Sequence, residues 1–256
     1  MHNQDVQVQS STGSLVGDGC LELVFVHGNG YRTRFGNRTQ MWGEGIYIGG
    51  HLDQQLHLDI LPKTYLTIVK LEPWAACLIS NFDFRKTLNQ TIPLQDVNKH
   101  LHKKLMLKNT SAFNNSMLHT LYQEMEQNRT QSRDLKLIQH VSQVLENNYQ
   151  EFKYYKKELL KNIKISSRSL ETKFGQSVGL TPLKFSNTIR FRKAIEQIYH
   201  FSNEVSLVHL AYQHGYFDQS HFIRTCRSVT GIPPSKISEE NCFLTDHRDT
   251  FRYYTI

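Results

Sequence analysis

Prolines number only six and glycines fourteen among 256 residues, too few for a disordered or low-complexity chain. The four cysteines, at 20, 77, 226 and 242, show neither pairing nor metal-type spacing. No disulfide framework is therefore expected, and a reduced, cytosolic protein is the simplest reading. No apolar run approaches the roughly 18 residues of a membrane span. The first residues, MHNQDVQVQSSTGS, are polar, so neither a membrane partner nor a secretory signal is expected. The glycine-rich run 28–45 has no GK[ST] after it, which excludes a phosphate-cradling P-loop. Thirteen histidines invite a metal reading, but His51 and His57 lack carboxylates or cysteines at ligand spacing. His100 and His102 sit two apart on a helical pattern and do not share a face. Cys20 and Cys77 have no fixed partner and read as core residues rather than nucleophiles. No catalytic residue, metal or cofactor is expected.

What the chain does carry is positive charge in one place. Residues 1–125 hold 11 Lys/Arg against 10 Asp/Glu, whereas residues 150–237 hold 14 against 6. Basic charge concentrated in one region is the footprint of a polyanion binder. The two halves also differ in pattern. LELVFVHG, GIYIGG, QLHLDIL and YLTIVKL are short, apolar, partly alternating runs that predict strands. The glycine-rich run between the first two predicts a hairpin or loop. Pro73 can open a helix with Trp74, Cys77 and Leu78 on one face. Leu94, Val97, Leu101 and Leu105 predict one further helix over 94–107. From 110 to 132 the sequence is polar, and a domain connector is expected between 125 and 133. Beyond it, Leu135, Ile138, Val141, Val144 and Leu145 begin an all-helical region.

That region contains a repeat. SSRSLETKFGQSVGLTPLKF (166–185) aligns with DQSHFIRTCRSVTGIPPSKI (218–237). Leu170 matches Phe222, Phe174 matches Cys226, Gly179 matches Gly231 and Pro182 matches Pro234. A short helix precedes each copy, so each unit reads as helix, tight turn, helix. In the second unit Ala211 is small enough for a close helix crossing, and Gly215 supplies a left-handed turn residue. In the first unit Leu160 and Lys164 occupy those two places. Ser166 or Ser167 can cap the first unit's second helix, and Asp218 the second unit's. Leu170, Phe174 and Val178, and likewise Phe222, Cys226 and Val229, form inward stripes.

The opposite faces are polar. Arg168, Ser169, Glu171, Thr172 and Lys173 lie outward on the first, and Gln219, Ser220, Ile223, Arg224 and Arg227 on the second. Their donors and acceptors suit base edges. Between the units, 182–199 reads as one helix with Phe185, Ile189, Ala194, Ile195 and Ile198 inward. Such a rod spans roughly 27 Å and can hold two reading helices near successive major grooves, which recur about every 34 Å on one face of DNA. Arg190 and Lys193 on this rod are candidates for phosphate contact.

The stretch LAYQHGYFDQSHFIRTCRSVTGIPPSKI resembles the second helix-turn-helix and C-terminal motif of AraC/XylS-type transcription regulators. Gly215, the run Asp218–Phe222, Arg224, Gly231 and Pro234 stand in register with that family over about 135–238. TIRFRKAIEQI is similar to its linker helix. Three positions depart from the pattern: Phe217 replaces a small polar residue, Cys226 replaces Phe, and Thr172 stands where a basic residue is usual. Residues 15–125 are similar to an uncharacterised sensor-like domain found ahead of such DNA-binding domains.

The resemblance implies promoter binding and control of transcription by a non-enzymatic, cytoplasmic, nucleoid-associated protein. Its partners would be double-stranded promoter DNA, RNA polymerase for an activator, and an unknown small-molecule or protein effector, with a homodimer open. The expected architecture is an α+β domain of short strands and helices over 1–127, with a sensor or dimerisation role. An all-α domain over 132–240 follows, with two helix-turn-helix units joined by a linker helix. A tail over 241–256 is read as accessory or poorly ordered, or as docked on a domain surface through its aromatics. The alternative keeps the DNA-binding half as a targeting module and makes the N-terminal half a ligand-binding or metal-dependent, enzyme-like domain.

Overall fold

A computed structural model describes residues 11–108, 114–129, 134–200, 206–237 and 252–255. The N-terminal half is built on two packed sheets. One has the order β1-β6-β3-β4, from β1 (Ser11–Leu15), β6 (Leu56–Ile60), β3 (Tyr31–Phe35) and β4 (Arg38–Trp42). The other has the order β8-β5-β2-β7-β9, from β8 (Thr91–Pro93), β5 (Gly45–Gly49), β2 (Leu21–Gly28), β7 (Thr64–Leu71) and β9 (Arg252–Thr255). The glycine-rich run is the β3–β4 hairpin, closed through Gly36 at φ 55°. Trp42 Nε1 donates across it to the Thr33 hydroxyl at 2.8 Å.

Strand β2 lies between two layers, so both of its faces are apolar. Leu21, Leu23 and Phe25 face a helical layer, while Val24 and Val26 pack with Tyr31, Leu58 and Ile60 of the opposing sheet. The helical layer comprises α1 (Ala76–Ile79), α2 (Leu94–Val97), α3 (Lys99–Met106) and α4 (Asn115–Arg129).

Two local expectations are corrected here, and the two readings of the tail are decided in favour of docking. The helix expected over 94–107 is broken at Asn98, whose φ of −147° leaves the helical region. The Asn98 side chain accepts from Leu101 N–H at 2.9 Å and donates to the Ile79 carbonyl at 2.7 Å, so it caps α3 and ties it to α1. Residues 125–129, expected to lie in a connector, instead end α4, which buries Met117, Leu121 and Met125, while 130–133 lie outside the described residues. Finally, Arg252–Thr255 of the tail is a strand pairing parallel with β7, Thr67 opposite Arg252 and Lys70 opposite Thr255. Cys242 and the rest of 238–251 lie outside the described residues.

The C-terminal half is all helical: α5 (Leu135–Asn147), α6 (Phe152–Ile163), α7 (Ser167–Val178), α8 (Pro182–His200), α9 (Leu207–Gln213) and α10 (Gln219–Thr230). Two cores share α8. Phe185 and Ile189 pack with Leu170, Phe174 and Val178. Ala194, Ile195 and Ile198 pack with Leu210, Ala211, Phe222 and Cys226. The two halves meet along α7 and α8. Arg192 Nη1 donates to the Asp18 carbonyl at 3.0 Å, Lys184 pairs with Asp53 at 3.1 Å, and Val16 joins the core around Phe191.

Candidate nucleic-acid interface

Each half of the repeat folds as helix, turn, helix. In the first unit α6 ends at Lys164, which takes the left-handed conformation at φ 53°. In the second, α9 ends through Gly215 at φ 72°. A side chain at Gly215 would also place its Cβ 2.5 Å from the Gln150 carbonyl oxygen. The two turns therefore use the same backbone conformation, with glycine only where the chain approaches closely. The second helices are capped alike. Ser166 accepts from Ser169 N–H at 3.1 Å, and Asp218 from His221 N–H at 2.6 Å. Both helices end at a left-handed glycine, Gly179 at φ 95° and Gly231 at φ 75°.

The inward stripes are closed: Leu170, Phe174, Val178, Phe222 and Cys226 are fully buried, while Val229 is half-buried. The smaller Cys226 core position is completed by Thr230, whose hydroxyl donates to the Cys226 carbonyl at 2.8 Å. Outward, Arg168, Glu171 and Thr172 on α7 are exposed, as are Ser220, Arg224 and Arg227 on α10. Ser169, Gln219 and Ile223 are half-buried. Lys173 is half-buried and bonded to Asp134, at the start of α5, at 2.6 Å. Glu171 accepts from the Ser167 hydroxyl at 3.3 Å.

Helix α8 holds the second unit by named bonds. Arg190 donates to the Gly215 carbonyl at 3.1 Å and to Asn187 Oδ1, and its guanidinium lies 5.0 Å from the centre of the Tyr216 ring. Lys193 pairs with Glu196 at 3.6 Å. His214 bridges Gln197 Oε1 at 2.7 Å and the Tyr149 hydroxyl at 3.2 Å. With 19 residues, α8 is about 28 Å long at 1.5 Å per residue, and it packs with α7 in one core and with α10 in the other.

A second feature was not foreseen from the sequence. Between the two sheets of the N-terminal half lies a cavity of about 330 Å³. Val24, Leu58, Leu66 and Ile68 are among its apolar walls, and Asp18, Glu22, Tyr31 and His51 among its polar ones. Glu22 points between the sheets, opposite Lys70 on β7 and Gly49 on β5. Burial, with Asp18 nearby, pushes its carboxyl up to about 8. Lys70 is bonded to Asp18 at 3.1 Å. Burial holds His51 down to about 4, and its Nε2–H donates to the carbonyl of Val178, the last residue of α7, at 2.6 Å. The one available signal was the acid in LELVFV, an ionisable group inside an otherwise apolar run. Among the described residues, no group of three or more His, Cys, Asp or Glu is placed to hold a metal ion. Among them, too, no helix is long and apolar enough to cross a membrane.

Residues 159–240 match a protein family described as a helix-turn-helix domain, of the AraC type. No curated protein matches the chain. Among solved structures, ToxT from Vibrio cholerae in a P21 crystal form is similar at TM-score 0.48 and 11% identity, covering 90% of this chain and 97% of that one. ToxT bound to (E)-4-(8-methylnaphthalen-1-yl)but-3-enoic acid gives TM-score 0.46 at 12% identity, covering 90% and 98%. Unsaturated-fatty-acid-bound ToxT gives 0.45 at 12% identity, covering 92% and 96%.

Proposed function

We propose that this chain, a DNA-binding transcription regulator through its AraC-type helix-turn-helix domain, is controlled by a small molecule held between its two sheets. What supports this is the wall shared by the cavity and the first reading helix: His51 lines the one and caps the other. An effector shifts DNA affinity only by its differential affinity for two states. A ligand against His51 has a direct route to such a difference.

In this reading, Arg168, Thr172, Gln219, Ser220, Arg224 and Arg227 meet DNA, with Arg224 and Gln219 as base readers. One chain presents two reading helices on one rod, so a dimer is not needed to span successive grooves. An activator would add RNA polymerase as a partner. Lys193 remains a phosphate candidate, whereas the bonds of Arg190 favour a positioning role.

The test is selection of DNA sites by the full chain, followed by a reporter carrying the selected site in the native host. A single recurrent motif and a reporter response that changes with growth conditions are expected. Binding without sequence preference, or a response identical in a variant whose cavity is filled by Leu66→Trp, would refute the reading of DNA recognition or of control respectively.

A further inference from the structure

One oxygen of the Glu22 carboxyl has no donor. Its Oε1 is buried, and no donor among the described residues reaches it. A buried acceptor left unsatisfied is a standing cost that native structures rarely tolerate without a reason. The cavity supplies the reason, since Glu22 is part of its wall.

The buried ionisable groups around it are mainly acids. Asp18 and Glu22 both line the space. The ammonium nearest them belongs to Lys70, which is bonded to Asp18 and is not part of the wall. Arg38 does line the cavity, but its side chain is solvent-exposed. His51 is neutral near pH 7, held so by burial against the opposing effect of its bond to Val178. Tyr31 sits in the same wall as a further polar group. Around this end the walls are aliphatic, from Val24, Leu66 and Ile68. The volume, about 330 Å³, falls at the lower end of small-molecule sites, roughly 300–1,000 Å³.

We infer that the cavity takes a small amphiphilic amine, its cationic nitrogen donating to Glu22 and its apolar body lying between the sheets. This rests on the reading of the cavity as an effector site and gives that site a ligand class. An anionic head would lie against Asp18 and oppose ionisation of Glu22. A neutral hydroxyl would meet one acceptor and leave Glu22 protonated. An ammonium meets the same acceptor and, as Glu22 releases its proton to solvent, pairs with the carboxylate formed, as a buried charge requires.

The experiment compares three probes of one length, n-octylamine, n-octanol and octanoate, by calorimetric titration of the full chain at pH 7. Expected is saturable one-to-one binding of the amine, at least about tenfold tighter than octanoate. Glu22→Gln should weaken the amine about tenfold or more and leave octanol within about threefold. DNA binding by the same variant reports that it is folded. Leu66→Trp should abolish binding of every probe. Octanoate binding more tightly than the amine, amine affinity unchanged in Glu22→Gln, or no saturable amine binding overturns the ligand class. Octanol or octanoate binding that Leu66→Trp removes would, in those cases, leave the cavity standing as an effector site. Absence of binding by all three would remove both.

Discussion

His51 and Val178 stand 127 positions apart in sequence, yet the imidazole Nε2–H of one meets the main-chain oxygen of the other at 2.6 Å. Val178 ends α7, and its carbonyl belongs to the last turn, where no helical N–H is available. The bond therefore completes α7 from the wall of the cavity. His51→Ala leaves that carbonyl buried and unpaired. A loss of about 1–3 kcal/mol in stability is expected by chemical denaturation, with weakened coupling between cavity ligand and DNA. His51→Gln, which keeps a donor, should recover part of both.

The same histidine sets one side of a pH profile, and Glu22 the other. His51 is held down to about 4, below an unfolded value near 6.5. The unfolded chain thus binds more protons at that site, and stability falls as pH drops from about 6.5 towards 4. Glu22 is raised to about 8, above an unfolded value near 4.3. There the folded chain holds the extra proton, and stability falls as pH rises from about 4.3 to 8. The two oppose each other up to about pH 6.5, and Glu22 acts alone above it. Wild-type stability should therefore decline as pH rises from about 6.5 to 8. Denaturation across that range should show a flat curve for Glu22→Gln. A wild-type curve that is also flat would rule out a protonated Glu22.

The C-terminal half was legible because its signals are local and repeated. Leu170, Phe174 and Val178 recur at helical spacing, and the offset between the repeats sets Lys164 at the position of Gly215. Periodicity failed where two elements share one stripe. Leu94, Val97, Leu101 and Leu105 run on across Asn98, so only the side-chain cap reveals the break. In the N-terminal half, β2 is covered on both faces and shows no clean alternation. That left Glu22 without a legible direction and hid the cavity it lines. The pairing of β9 with β7, and of His51 with Val178, joins distant segments that no local pattern relates.

The two interhelical turns should respond oppositely to substitution. Gly215→Ala puts a side chain on a left-handed backbone and its Cβ 2.5 Å from the Gln150 oxygen. A loss of at least about 2 kcal/mol is expected, since the conformation alone costs roughly 1–2 kcal/mol for a residue with Cβ. Lys164 already bears that strain at φ 53°. Lys164→Gly should be neutral or stabilising, by up to about 1 kcal/mol. Thermal unfolding of the pair of variants measures both signs. A destabilised Lys164→Gly would show that the lysine side chain makes a contact worth more than the strain.

Three basic residues along α8 and α10 should separate into three behaviours. Arg224 is exposed on the outward face of α10, one turn after Ser220. A guanidinium there can hold guanine O6 and N7 together, a pair that discriminates by about 1–3 kcal/mol. Arg224→Ala should weaken the best site about tenfold or more, leave random DNA far less affected, and relax preference at one or two base pairs. Lys193 is tied loosely to Glu196 at 3.6 Å and reaches at best a phosphate. Lys193→Ala should weaken specific and random DNA alike and make the salt dependence shallower by roughly one unit. Arg190 holds the second turn through Gly215 and lies over Tyr216. Arg190→Ala should lower the unfolding temperature and, in the folded fraction, leave the selected motif unchanged. Repeating the site selection with each variant decides among these roles. An unaltered motif for Arg224→Ala, with affinity lowered uniformly, would move Arg224 to the phosphate class and leave Gln219 and Ser220 to read the bases.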